Sequence, residues 1–301
     1  MRADRFAAAL LLSTFTTALA PASAQAFCRT RTVPAPANFD STTGCFEQGL
    51  PLYHASQCVP YRLLAKESPR IPNAVISTSL GRAFGAWTSG NAFCTPGLTP
   101  IELAPSAGTT IVGYTTGERG NNIVGVVDGP WPHSDGSETL SLTTLTFNAD
   151  SGEVYDADLE IRSDVDWSLG ATPPPDGFDF DAVMTHETGH FLGLAHSQHG
   201  DAVMWSGYTP GSVTQRTLSD DDKQGMCAIY PDRQTRSTGA GNVPSTLCNL
   251  SPGTPGATTP CGDPDITHGC SMGPSRSSSP SLLVVIATAG LMVLRTRRRR
   301  A

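Results

Sequence analysis

Between His186 and His196 the chain reads His-Glu-Thr-Gly-His-Phe-Leu-Gly-Leu-Ala-His, three imidazoles and one carboxylate within eleven residues. Residues four apart on an α-helix stand one above the other, so His186 and His190 project from one face and offer two nitrogen ligands from one rigid element. Glu187 lies beside that pair, where a carboxylate can take a proton from a metal-activated water. Gly193 follows His190 by three positions. Lacking a Cβ, it can enter the left-handed region, end the helix and let the chain bring His196 back to the metal. Three neutral imidazoles leave the fourth tetrahedral position of a zinc ion open, and an open position is what separates a catalytic zinc from a structural one. Water held there ionises at a pKa of about 7. The chemistry implied is hydrolysis, with His186, His190 and His196 as zinc ligands and Glu187 as general base.

A bare five-residue His-Glu-x-x-His match also occurs in helices that bind no metal. The third histidine, the intervening glycine and the following Ala202-Val203-Met204-Trp205 make the pattern here far more specific. The elements needed to position it can be read upstream. Val59–Leu64 is a strand candidate, and Ala74 to Thr88 carries Ile76, Leu80, Phe84 and Trp87 at spacings of three and four, as an amphipathic helix requires. Ile101–Leu103, Thr110–Tyr114 and Ile123–Val127 are further strands, and Leu140–Phe147 alternates with period two. Asn148–Gly152 is a turn, Val154–Ile161 the returning strand, and Pro173–Pro175 a break before the histidine helix. Downstream, Ser219 and Asp222 form a helix-opening capping pair. The order of elements predicts an α+β fold.

The segment 59–231 resembles a matrixin-type metzincin, the family that includes the matrix metalloproteinases. Phe191 to Ser197 resembles its zinc helix and ligand loop. Met204, eight residues after His196, matches the methionine that floors the metal site without binding it. Tyr208 matches the wall of the specificity pocket, although Ser206 stands where a proline is usual. Leu218 to Met226, then Ile229-Tyr230, resembles the last helix of the catalytic domain. The resemblance implies a twisted mixed sheet with one catalytic zinc, and a zinc endopeptidase acting on a protein or peptide substrate held extended against an edge strand. The family's second, structural zinc uses several histidines and an aspartate; only His133 stands in the comparable stretch, so that site is not expected. No inhibitory-cysteine motif appears between Phe27 and Val59. Pro260 to Asp265 is similar to that motif but lies on the wrong side of the domain, and reads as chance or a disulfide site. His54, His199 and His268 read as surface histidines. Calcium is a second candidate cofactor: Asp150, Asp156, Asp158 and Glu160 supply carboxylates, though a solvated hairpin face explains the same residues more simply.

The ends of the chain carry other signals. Arg2 and Arg5, an apolar run from Phe6 and Ala22-Ser23-Ala24 read as a signal peptide over 1–24, followed by a cysteine-containing segment over 25–58. Export makes disulfides plausible among the eight cysteines, which permit 105 pairings; Cys28 with Cys45 and Cys58 with Cys94 are the local guesses. Residues 232–280 are rich in Ser, Thr, Gly and Pro and read as an extended linker. Residues 281–301 hold a short apolar helix and an arginine cluster. Fourteen residues of helix span about 21 Å, short of a hydrocarbon core of about 30 Å. This tail resembles the sorting signals of myxobacterial surface proteins, which implies transient or permanent membrane attachment, a surface location and a Gram-negative bacterial source. Two of the 20 basic residues lie in the signal and five between Arg295 and Arg300, leaving 13 against 26 acidic residues. Such a balance disfavours nucleic acid as a partner. The alternative to a peptidase is an adhesive surface module that keeps the fold without turnover; the intact Glu187 argues against it.

Overall fold

The strand-forming runs come together as one sheet under two helices. The computed structural model describes residues 26–36, 38–114, 121–133, 139–170 and 172–248, and the backbone of 293–294. The segment read as a signal peptide, Cys261, His268, Cys270 and, apart from the backbone of 293–294, the stretch read as a sorting tail lie outside the described residues. In chain order the elements are β1 (Cys28–Arg29), β2 (Cys58–Leu63), α1 (Asn73–Thr88), β3 (Thr99–Glu102), β4 (Ile123–Val127), β5 (Ser141–Phe147) and β6 (Val154–Arg162). They continue with β7 (Trp167–Ser168), β8 (Phe178–Asp179), α2 (Phe180–Phe191), β9 (Leu194–Ala195), β10 (Gly207–Tyr208), α3 (Asp220–Ile229), β11 (Thr235–Thr238) and β12 (Gly241–Pro244).

Five strands form a mixed sheet in the order β3-β2-β4-β6-β5. The first four are mutually parallel, and β5, at one edge of the sheet with β3 at the other, pairs antiparallel with β6 from Ser141↔Ile161 to Phe147↔Val154. Side chains alternate across a strand. Ala157, Leu159 and Ile161 of β6 therefore enter the core beneath the helices, while Asp156, Asp158 and Glu160 face the other way. In α1 the predicted stripe of Ile76, Leu80, Phe84 and Trp87 is buried against that core, each such side chain contributing about 1.5–3 kcal/mol. The Trp87 indole N–H donates to the Thr185 carbonyl at 2.7 Å, fastening α1 to the histidine helix. Phe180 and every residue from Ala182 to Phe191 of α2 are buried, so this helix is a central element rather than an amphipathic surface one.

Four expectations change. Thr110–Tyr114 is not a strand: the Gly113 amide leaves any ladder and donates to the Asp158 carboxylate at 3.0 Å. Cys28 pairs with Cys45 as expected, but Cys58 joins Cys248 and Cys94 joins Cys227, bonds that staple β2 to the segment after β12 and the turn after α1 to α3. The stretch read as a linker from 232 accordingly stays on the fold as far as Cys248. Its hairpin β11–β12 anchors through Arg236, whose buried guanidinium donates to the carbonyls of His54, Ser56, Asp232 and Thr235 and lies 5.2 Å from the Tyr230 ring centre. His54 is buried rather than superficial, with Nε2 2.8 Å from the Phe191 carbonyl and a pKa that burial lowers to about 4. Among the described residues no helix is long and apolar enough to cross a membrane.

Candidate metal centre

His186, His190 and His196 converge, each offering one ligand nitrogen within 4.8 Å of the others. The spacing along α2 sets the Nε2 atoms of His186 and His190 only 3.0 Å apart. Their other ring nitrogens are already committed: Nδ1 of His186 meets the Val203 carbonyl at 2.7 Å and Nδ1 of His190 meets the Leu194 carbonyl at 2.9 Å. A carbonyl only accepts, so each Nδ1 carries the proton and each Nε2 presents a lone pair, the tautomer a metal requires. Burial holds His186 neutral, with a pKa lowered to about 4, and burial plus the neighbouring imidazoles push His190 well below its ordinary value. Two neutral imidazoles with this tautomer, joined by the converging ring of His196, fit a zinc ion.

The return of His196 depends on the glycine. The helix stops at Phe191; Gly193 has φ of +98°, donates to the His190 carbonyl at 2.9 Å and would bring a Cβ within 3.2 Å of the Leu52 carbonyl oxygen. Leu194–Ala195 then pairs with β1, which fixes the chain immediately ahead of His196.

Met204 packs against the histidine helix where Gly189 leaves room for it. A Cβ at Gly189 would collide with the Met204 sulfur and stand 2.8 Å from Trp87. The methionine turn is held from two sides: the Ser197 amide donates to the Met204 carbonyl at 2.7 Å, and the Asp222 carboxylate accepts the amides of Val203 and Met204 at 2.8 and 3.1 Å. Asp222 thus ties the turn to α3 while also closing the predicted capping box with Ser219. Tyr208 is buried, its hydroxyl donating to the Ser212 carbonyl at 2.7 Å and accepting the Asp179 amide at 2.8 Å. Asp179 caps α2 and takes both arms of Arg216, at 2.9 and 2.5 Å, so the segment after Tyr208 is pinned to the start of the helix.

Glu187 is buried next to the imidazoles, and its carboxylate is gripped by two hydroxyls of the edge strand. Ser141 Oγ donates to Oε1 at 2.8 Å and Thr143 Oγ1 donates to Oε2 at 2.7 Å. Burial pushes the Glu187 pKa up to about 7 against the opposing pull of the Thr143 and Ser141 hydrogen bonds. Neither hydroxyl was singled out from sequence; the available signal was polar residues on alternate positions of a strand preceding the helix.

The acidic residues of β6 are not a solvated face. Asp156, Asp158 and Glu160 are buried, and only Asp150, in the turn, is exposed. Asp158 accepts the Ile123 amide at 2.8 Å and the Gly113 amide at 3.0 Å, and Glu160 meets His133 Nε2 at 2.7 Å. The Asp156 carboxyl lies against that of Asp158. Burial and then the adjacent Asp158 charge raise the Asp156 pKa.

The sequence pattern of one protein family, described as matrixin, matches residues 53–231. Mouse stromelysin-1 is 26% identical over 207 residues, 68% of this chain and 38% of that protein. Human matrix metalloproteinase-20 is 26% identical over 174 residues, 58% of this chain and 31% of its own length. Metalloendoproteinase 2-MMP of Arabidopsis thaliana is 30% identical over 158 residues, 52% of this chain and 37% of that protein. The chain therefore covers less than two fifths of the length of these relatives. The family match spans more than half of the 301 residues and contains the converging histidines, Met204 and the capped helix α3: the chain belongs to the matrixin family.

Proposed function

We propose that this protein is an exported zinc endopeptidase that cleaves extended protein or peptide segments. The observation that carries the reading is the pairing of three histidines, two with Nδ1 tied to backbone carbonyls, with a buried carboxylate one residue from the first of them. His186, His190 and His196 would hold the zinc, which supplies Lewis-acid polarisation of a peptide carbonyl and of water. Glu187 takes a proton from the attacking water and delivers it to the departing amine, a role suited to a carboxylate one residue from the first ligand and oriented by two hydroxyls. Met204, Gly193 and Tyr208 support the ligands and the pocket wall without touching the proton. The edge strand β5, whose Ser141 and Thr143 hold Glu187, is the element against which substrate backbone would pair antiparallel. Export is supported by three disulfides among the described residues, bonds that persist in oxidising compartments, together with the signal-like first segment.

The test is zinc stoichiometry and cleavage of casein or gelatin by the purified protein, with Glu187→Gln and a chelator as controls. One zinc per chain and chelator-sensitive cleavage that Glu187→Gln abolishes are expected. Zinc retained with no turnover would favour a non-catalytic module, and folded protein without zinc would sink the reading.

A further inference from the structure

The disulfide loop closed by Cys28 and Cys45 precedes the first residue of the family match, at 53, and yet it is bolted to the zinc-ligand loop. Cys28 pairs with Ala195 and Arg29 with Leu194, the Thr30 amide donates to the Gly193 carbonyl at 2.9 Å, and the Thr30 hydroxyl donates to Leu194 at 2.9 Å. The three residues ahead of His196 are thereby held by this loop. Between loop and ligand lies a cleft of about 120 Å³ walled by Val33, Pro34, Ala35, Phe39, Phe46 and His196. Phe39 and Phe46 meet edge to face at 5.6 Å, both half-buried, and Val33 is exposed.

Volume and charge decide what can enter. The cleft is close to the ~150 Å³ apolar cavity that accepts one benzene ring and well below the roughly 300–1,000 Å³ of a cofactor pocket. One side chain fits it. Arg29 and Arg31 also line the cleft, but their guanidinium tips are committed. Arg29 donates to the Ser237 and Leu52 carbonyls, and Arg31 pairs with Glu47 and the Gly49 carbonyl. Of the two guanidiniums only the buried Nε atoms lack a partner among the described residues, and most of the wall around them is apolar. Because His196 lines both the cleft and the metal centre, an extended chain rising about 3.3 Å per residue past the metal reaches the cleft within about two residues. We propose that this cleft is a substrate subsite for one large apolar side chain, of the leucine or phenylalanine class, within two residues of the scissile bond. The assignment rests on the peptidase reading above, and it makes the loop outside the family match a determinant of specificity.

Binding to the zinc-loaded full chain carrying Glu187→Gln tests it without requiring turnover. Two series of short peptide hydroxamates, anchored on the metal through either end, carry Gly, Ala, Leu or Phe at successive positions, and affinity is read by calorimetry. Leu or Phe at one position of one series should bind about tenfold or more tighter than Gly, as expected for burying one such side chain. Phe39→Ala with Phe46→Ala should cut that ratio below threefold. Ala35→Trp, which fills the cleft without removing the aromatic pair, should do the same. Equal affinity for Gly, Leu and Phe at every position overturns the proposal, as does the lack of any position whose preference both variants remove; a preference they leave intact at another position belongs to the pocket walled by Tyr208. Variants that change sedimentation but not the preference would make the cleft a self-contact and also overturn it. Preference present in binding while the wild-type protein cleaves nothing would leave the subsite standing and defeat the peptidase reading; failure of every hydroxamate to bind defeats both.

Discussion

Removing the hydroxyls that grip Glu187 should move the acid limb of the pH–rate profile upward without changing the rate on the alkaline side. The Glu187 carboxylate is raised by burial to about 7, and Thr143 and Ser141 oppose that rise by donating to its two oxygens. A hydrogen bond to a charged group is worth about 1.5–3 kcal/mol, and one pKa unit corresponds to about 1.36 kcal/mol. Losing one hydroxyl should therefore raise the carboxyl by about one to two units. A base works only when ionised, so kcat/KM falls as pH drops through its pKa; a higher pKa brings that fall to higher pH. Thr143→Val keeps the shape of the side chain and removes only the donor. At a pH below the limb its kcat/KM should be about 10- to 100-fold under wild type, with the two curves meeting above it. The charge of bound zinc lowers the limb in both proteins, so the displacement is the quantity predicted rather than the position. A fluorogenic peptide assayed from pH 5 to 10 measures it, with Thr143→Ser expected to restore the wild-type limb. A uniform loss at every pH, or a limb that does not move, would refute the argument that these hydroxyls act on the charge of Glu187.

Gly189→Ala should lower Tm and weaken zinc retention, because the new methyl meets Met204 and Trp87. Overpacking of this kind costs about 1–3 kcal/mol, and an unchanged Tm would show that the methionine floor yields. Asp156 and Asp158 both have pKa values raised mainly by burial, so the folded chain binds more protons than the unfolded one. Their contribution to stability is full below the usual carboxylate range near 4 and is lost as pH rises through the raised values. Tm should fall on that rise, fall less in millimolar calcium, and fall less in Asp156→Asn; a Tm indifferent to pH in all three would refute it. Arg236→Met should leave the buried carbonyl of His54 without the guanidinium donor, at about 1–3 kcal/mol. Hydrogen exchange across Thr235–Pro244 should accelerate, and protection equal to wild type would show that the hairpin is held without it.

The convergence of the three histidines was legible because the signal is local: helical period puts His186 over His190, and Gly193 supplies the backbone conformation that returns His196. The stripe on α1 and the alternation on β5 and β6 were legible for the same reason. What escaped depends on partners far apart in the chain. The guess of Cys58 with Cys94 followed sequence proximity, whereas loop closure becomes only slowly more costly with length, and packing settled the bond at Cys248 instead. The carboxylates of β6 looked solvated because they alternate with apolar residues; they are buried, with amides of Gly113 and Ile123 on Asp158 and an imidazole on Glu160, and alternation cannot reveal a covering segment. Thr110–Tyr114 has strand composition, but its Gly113 amide bonds to a side chain instead of a ladder, a tertiary override of propensity.

Burial of α2 explains why so many segments converge on it. A helix carrying two histidines, a glutamate and two threonines cannot sit in a core unless each polar group finds a partner, since an unmet buried group costs about 1–3 kcal/mol. The partners come from Val203 and Leu194 for the imidazoles, from Ser141 and Thr143 for the carboxylate, and from carbonyls of the helix itself for the threonines. Each partner is fixed in turn: Val203 by Asp222, Leu194 by the disulfide loop, Ser141 and Thr143 by the β5–β6 ladder. The need to satisfy buried polar groups and the need to orient ligands and base are therefore met by the same hydrogen bonds. Substitutions at Asp222, which touches neither metal nor substrate, should consequently alter zinc affinity through Val203 and His186. Asp222→Asn keeps an acceptor but lacks the charge and one of the two carboxylate oxygens, and should lower zinc affinity by about 10- to 100-fold, the usual range for a partner that orients a ligand. Competition with a zinc chelator measures it, and an affinity equal to wild type would show that the Val203 carbonyl keeps its place without the aspartate.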